Sequence, residues 1–281
     1  MTSPDPETIR EQVRLALAED IGSGDVSAAL IPADRRAHAG LWCRESAVIC
    51  GRQWVEAAFR QLAADVVLDW TVADGERVPA DTRLCTIHGP ARAMLTAERT
   101  ALNFLQTLSA TATATRAYVD AVAGTGCRIL DTRKTLPGLR LAQKYAVTCG
   151  GGHNHRFGLH DMVLVKENHI TACGGITAAV ATARHQSPGI PIEVEVENLA
   201  QLREAIAAGV DRILLDNMDC ARLREAVAIT AGRIPLEASG GITLGNVRAV
   251  AETGVDFVSV GSLTKDIRAV DLSLRFEETA A

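Results

Sequence analysis

The feature that most constrains this fold is a series of short apolar runs between residues 128 and 261, each ending in a polar residue or glycine. "RILD" leads into Thr132-Arg133-Lys134, "MVLVK" ends at Lys166, and "IEVEVE" carries Glu195. "RILLDN" holds Asp216, "PLEAS" ends at Ser239, and "FVSVG" ends at Gly261. The runs recur about every 26 residues, the length of one strand, one helix and their turns. Stretches such as "LAQLREAIAAG" and "NVRAVAETG" fill the intervals with helical periodicity. Runs of β-branched residues with little alternation indicate strands covered on both faces, hence a parallel sheet with helical crossovers. Such units in series predict an α/β barrel with fewer strands than the usual eight; a doubly wound open sheet is the competing architecture. The polar residues fall at the carboxyl ends of the runs, where barrels place their ligand sites.

The first part of the chain reads as an α+β unit. Asp5 and Pro6 are suited to start a helix over residues 5–19. Short strands such as "AVIC" and "VVLDWTV" surround a helix near 53–63, and "DGERVPADTRLCTIHGP" has strand-turn-strand punctuation. Trp42, Trp54 and Trp70 are expected in its core. A long helix begins near Arg92, with Met94, Leu95, Leu102, Leu105 and Leu108 on one stripe. Glu98 falls inside that stripe and Arg99 at its border, places where charges are seldom found unless paired or used.

With 47% hydrophobic residues the chain can bury a real core. A net charge of -5 gives no basic footprint for nucleic acid, so any cationic site is a local cluster. Seven scattered cysteines without a C-x-x-C pair read as reduced thiols of a cytoplasmic protein. The N-terminus lacks signal-peptide regions, and the longest uncharged run is too polar to span a membrane.

Residues 150–169, "GGGHNHRFGLHDMVLVKENH", pose the chemical question. His153-x-His155 suits a metal hydrolase, but such a site needs later histidines and none follows His185. Lys166 at a strand end suits a Schiff base, yet Arg133, Lys134 and Arg156 surround it with further positive charge. An anion site accounts for most residues: the arginines match carboxylates bidentately, with Lys134 and Lys166 as mobile charges. Glu195 and Asp216 supply hard oxygens, the way Mg²⁺ is held alongside a phosphorylated substrate. Ser239-Gly240-Gly241 and Gly261 offer backbone N–H groups for a phosphate, each expected to open a crossover helix. The glycines at 150–152 are expected to let the chain approach the ligand. No Walker loop occurs. A non-catalytic phosphate or dicarboxylate sensor is the alternative outside enzymes.

The segments "TRKTLPGLR", "QKYAV", "GGGHNHRFGL", "LVKENH", "EVEVEN", "LLDN" and "EASGGIT" resemble the quinolinate phosphoribosyltransferase family. The likeness runs from "EDIGSGDVS" through "AERTALNFLQ" to "VSVGSLT", nearly the whole chain. It implies an N-terminal open-faced α/β sandwich (1–108), a six- to seven-stranded incomplete barrel (109–270) and a tail (about 271–281) returning to the first domain. It also implies the reaction of quinolinate with phosphoribosyl pyrophosphate, giving nicotinate mononucleotide, pyrophosphate and CO₂ with Mg²⁺. On matching positions, Arg133, Arg156 and Lys166 would hold the ring carboxylates with His155 beside them. Thr132, Lys134, Glu195, Asp216, Ser239, Gly240, Gly241 and Gly261 would hold the phosphoribosyl and Mg-pyrophosphate parts, with Lys134, Glu195 and Asp216 as catalytic groups. Arg99 would complete the site of a second copy in a homodimer, and Arg140 is a further candidate across that interface. Thr148 departs from the family, which commonly has Arg there. A molybdate-associated branch shares "TRKT" but lacks the paired "NHR" and "K-x-N-H" elements present here.

Overall fold

Asp5 starts the first helix through physical capping: its carboxylate accepts from the Thr8 N–H at 3.4 Å, and Pro6 occupies the first turn, where its missing N–H costs nothing. The computed structural model describes residues 4–277. In chain order these form α1 (Pro6–Ile21), β1 (Arg36–Cys43), β2 (Ala47–Val48), α2 (Arg52–Leu62), β3 (Val67–Trp70), β4 (Arg77–Val78), β5 (Thr82–Pro90) and α3 (Ala91–Ala121). There follow β6 (Arg128–Leu130), α4 (Arg140–Cys149), β7 (Val163–Val165), α5 (Glu167–Cys173), α6 (Ile176–Gln186), β8 (Ile192–Val196), α7 (Leu199–Ala208) and β9 (Arg212–Asp216). The remainder are α8 (Cys220–Thr230), β10 (Leu236–Ser239), α9 (Val247–Ala251), β11 (Phe257–Ser259), α10 (Ser262–Lys265) and β12 (Leu272–Glu277).

Two compact units result. The first takes the described residues up to Arg116, Leu136–Gly151 and those from Asp266 on; the second takes Ala117–Thr135 and Gly152–Lys265. Residues 278–281 of the expected returning tail lie outside the described residues.

The first unit is built on an antiparallel sheet of order β12-β1-β5-β3. The C-terminal strand joins it by pairing Ala39 with Phe276 and Leu41 with Leu274. Trp54, Phe59, Leu41, Ile87, Met94, Leu105 and Leu108 are buried in its core. Each such side chain contributes about 1.5–3 kcal/mol through removal from water. Of the three tryptophans only Trp54 is fully buried. Trp42 and Trp70 are half-buried because arginines cover their faces: Arg44 and Arg83 lie 5.6 and 4.9 Å from the Trp42 ring centre, and Arg52 lies 5.1 Å from that of Trp70. Leu95 is likewise only half-buried, since the buried stripe of α3 runs through Ala97 and Ala101 instead. Glu98 is half-buried in α3, where burial pushes its carboxyl above the ordinary value and the Arg99 charge opposes the shift.

Gly150 departs from its expected role. A Cβ there would sit 2.5 Å from the Ala112 carbonyl oxygen and 2.6 Å from Thr115 Cβ. Close packing of the end of α4 on α3 is enough to require a glycine there.

The second unit holds six parallel strands in the order β6-β11-β10-β9-β8-β7. From β7 to β11 the chain steps in one direction without the reversal of a doubly wound sheet, and the unit's first strand, β6, lies beside its last, β11. A parallel bridge between Leu130 and His153 adds one further position on the free side of β6. That is the winding of an incomplete barrel. Ile192, Val194, Val196, Ile213 and Leu215 are fully buried. Among the described residues no helix is long and apolar enough to cross a membrane.

Candidate active site

Strand side chains alternate between faces, so residues two apart share one face at successive depths. In the second unit this rule produces two tiers. Leu164/Lys166, Glu193/Glu195, Leu214/Asp216 and Glu237/Ser239 are such pairs on β7, β8, β9 and β10, with Lys166 one residue past its strand. The second member of each lies nearest the carboxyl end. Register and tier coincide for Ser239 and Asp216, which are level, whereas the stagger of barrel strands sets Glu195 level with Leu214, the lower member on β9.

The upper tier lines a cavity of about 270 Å³ together with Thr132, Arg133, Lys134, His155 and Arg156. Nine of the residues expected at the site therefore come together: Thr132, Arg133, Lys134, His155, Arg156, Lys166, Glu195, Asp216 and Ser239. Arg99 and Arg140 do not line it; they lie in the first unit, on α3 and at the start of α4, with Arg99 exposed. Gly240, Gly241 and Gly261 flank the cavity in sequence without lining it.

The Ser239-Gly240-Gly241 segment is not a helix entry, because α9 begins only at Val247. Gly240 is required for another reason. Its φ is +97°, and a Cβ would fall 2.0 Å from Asn217 Oδ1 where the ends of β9 and β10 converge. Asn217 itself is left-handed (φ 52°), and its N–H donates to the Ser239 carbonyl at 2.9 Å. Gly261 does precede a helix, the short α10. A Cβ there would lie 3.1 Å from Lys134 Cδ, so its absence leaves room for that lysine.

The cationic loops are held by their own polar groups. Lys134 N–H donates to Thr132 Oγ1 at 3.0 Å, and the Lys134 carbonyl accepts from Thr264 Oγ1 at 2.8 Å. Fully buried Asp131 accepts from the His155 N–H at 2.9 Å and from Asn154 Nδ2 at 2.6 Å, fixing the turn that presents Arg156. Arg156 donates to the Met162 carbonyl at 3.1 Å. Burial, and then the charge of Arg133, pull its guanidinium below the ordinary arginine value. Arg133 Nε is buried with no acceptor among the described residues. Two half-buried guanidiniums, one of them with an idle buried donor, form a site that an anion would relieve.

Lys166 Nζ donates to Glu195 Oε2. A lysine paired to a carboxylate is not the desolvated amine that Schiff-base chemistry needs. The two histidines of H-x-H also part company: His153 is exposed, whereas His155 is buried with Nε2 2.8 Å from Glu193 Oε2 and 3.5 Å from Glu237 Oε2. Its Nδ1 accepts from the Arg156 N–H at 2.7 Å, which places the ring proton on Nε2.

Glu193, Glu237 and Ser259 were not singled out in the sequence. All three sit two residues before a residue that was: Glu195, Ser239 and Gly261. The period of two would have found them. Burial pushes the Glu193 and Glu237 carboxyls up to about 7. For Glu237 the Glu193 charge adds to the shift, while His155, Ser259 and Arg212 oppose it. Arg212 Nη1 lies 3.3 Å from Glu237 Oε2, with its guanidinium over the Phe257 ring at 4.6 Å.

One-way parallel strands, a cationic half-ring and two acidic strand ends define an α/β enzyme domain shaped for two anionic reactants. Comparison with known proteins narrows the class. Residues 25–109 match the model described as quinolinate phosphoribosyl transferase, N-terminal domain, and residues 111–275 match that of the C-terminal domain. The chain is 42% identical over 278 residues to the nicotinate-nucleotide pyrophosphorylase [carboxylating] of Mycobacterium leprae, covering 95% of this chain and 97% of that one. It is 42% identical over 258 residues to the probable Bacillus subtilis enzyme of the same name, covering 91% and 89%. The solved structure of nicotinate-nucleotide pyrophosphorylase from Francisella tularensis superposes with a TM-score of 0.95 at 45% identity, covering 97% of both chains. The chain belongs to the quinolinate phosphoribosyltransferase family.

Proposed function

We propose that the two halves of the strand-end ring divide the family's reaction between its two substrates. The activity is phosphoribosyl transfer from phosphoribosyl pyrophosphate to quinolinate with loss of CO₂, a step of de novo NAD biosynthesis. In our reading Arg133, Arg156 and Lys166 grip the two ring carboxylates, with His155 beneath them. The observation that carries this is the idle, buried Nε of Arg133 beside the desolvated Arg156.

Lys134 and Thr132, with Ser239 and the backbone N–H groups of Gly240, Gly241 and Gly261, receive the ribose and phosphates. Glu195 and Asp216 end neighbouring strands and line one cavity, a donor set that fits Mg²⁺ shared with a pyrophosphate. When bound there, Mg²⁺ would neutralise charge on the departing pyrophosphate. Lys166 now donates to Glu195, and with Glu195 holding the metal that lysine would be available to quinolinate. Much of the rate gain comes from aligning the ring nitrogen with the ribose carbon and from fixed charges around the leaving group. No covalent intermediate with the protein is needed.

The direct test is CO₂ release from quinolinate, with and without phosphoribosyl pyrophosphate. Release only with both substrates and Mg²⁺ supports the reading; a sensor or a Schiff-base enzyme gives none.

We further infer a cytoplasmic homodimer in which exposed Arg99 reaches a second copy's site, with Arg140 a further candidate. Mixing Arg99→Ala and Lys166→Ala chains should then restore roughly a quarter of wild-type activity, since half of randomly paired dimers keep one intact site. No recovery in mixed dimers would end that part of the reading.

A further inference from the structure

The reaction consumes one proton, and the structure points to where it is kept. Once the ring nitrogen bonds to the ribose carbon and pyrophosphate leaves, the ring is cationic. The C2–carboxylate bond then breaks, CO₂ departs, and the electron pair stays on C2 beside the positive nitrogen. A C2–H bond must form to finish the product. The groups around the cavity are mostly poor acids: two guanidiniums, two ammoniums and hydroxyls. Of the other groups, Glu195 is held by Lys166, Asp216 accepts from Asn217, and the His155 Nε2–H is turned to Glu193, which leaves the lower-tier carboxyl of Glu237.

We propose that Glu237 is the acid that gives this proton to C2, its O–H bond breaking as the C2–H bond forms. Glu237 is fully buried yet lines the cavity, and its Oε1 has no hydrogen-bond partner among the described residues. Glu193 does not line the cavity and acts as a neighbour only. The groups facing Glu237 are Glu193 on β8, Arg212 on β9, Ser259 at the end of β11 and His155. Burial, reinforced by the Glu193 charge, holds the Glu237 carboxyl near 7 against the pull of His155, Ser259 and Arg212. The carboxyl is therefore partly protonated at neutral pH, where an ordinary glutamate is not, and its proton is easily given up. His155 contributes position: with Nδ1 occupied by the Arg156 N–H, it aims Nε2–H at the carboxyl pair.

The inference rests on the quinolinate reading, and Glu237→Gln tests it. The amide has the shape of the neutral acid, so the cavity is kept while the transferable proton is lost. The kcat should fall about 100-fold or more, with KM for quinolinate changed less than about threefold, because proton transfer by a placed acid contributes ~10²–10⁴. A carbanion left waiting should recapture CO₂, so label from ¹³CO₂ should enter the 2-carboxylate in the variant and not in wild type. Wild-type kcat should decline as pH rises through about 7, where Glu237 loses its proton, and the variant should lack that limb. Should the Gln variant fold poorly, Glu237→Asp keeps an acid at greater distance and should retain the limb with intermediate kcat.

Wild-type kcat in Glu237→Gln, or a raised KM alone, overturns the proposal. So does an unchanged pH limb. If the wild-type protein itself releases no CO₂ from quinolinate, the functional reading has failed; if it does and the variant matches it, only the role of Glu237 has.

Discussion

The sheet of the first unit and the strand-end mouth of the second treat arginine in opposite ways. In the antiparallel unit, Arg44 lies over Trp42 and pairs with Asp81 at 3.2 Å, and Arg83 lies over the same ring and pairs with Glu277. Even Arg52, whose Nε lacks an acceptor, has the face of Trp70 beneath it. In the parallel unit Arg133 and Arg156 are half-buried and repel each other, and the carboxylates nearest the mouth pair elsewhere. Charge that serves the fold finds partners within the chain. The arginines read as serving a ligand are left shorter of partners, with the Arg133 Nε lacking an acceptor among the described residues.

That contrast can be broken by substitution. The largest effect is expected at the mouth. Arg133→Ala or Arg156→Ala should each lower kcat/KM for quinolinate by roughly 10- to 100-fold, as a charge-assisted contact of about 1.5–3 kcal/mol is lost. Their melting temperatures should stay level or rise, because repulsion between desolvated charges is removed. Glu195→Ala with Asp216→Ala should instead impair use of phosphoribosyl pyrophosphate and abolish its Mg²⁺ dependence, leaving quinolinate binding measurable by titration. If both sets damage the same substrate, the halves do not divide the work. The smallest effect belongs to Arg83→Ala in the first unit: a loss of about 1 kcal/mol in denaturant unfolding, with steady-state kinetics unchanged. A kinetic defect there would erase the distinction between the two kinds of arginine.

Much of the second unit was legible because buried parallel strands carry an unambiguous signal, a continuous apolar run at a fixed spacing. The strand-end residues were legible for the same reason, since the run itself marks where it stops. Loops were harder. Ser239-Gly240-Gly241 looked like a helix entry, yet the glycine answers to Asn217 across a strand gap, a contact between segments that no local pattern shows. Gly150 looked like ligand-facing backbone but answers to α3. Size argues for burial of Trp42 and Trp70, but Arg44 beside Trp42, and Arg83 and Arg52 from other segments, cover their faces instead. Glu193 and Glu237 lie inside "EVEVE" and "LEAS", where the alternation places them but no run boundary marks them as functional.

The two-tier arrangement has a consequence for which changes of chain length the protein tolerates. Lengthening a turn on the outside moves nothing at the centre. Adding or deleting a single residue within β8 or β10 would swing both of that strand's polar groups out under the helices and bring valine, leucine or alanine inward. Insertions and deletions should therefore accumulate between these strands and be purged from within them, whatever residues are exchanged at the positions themselves.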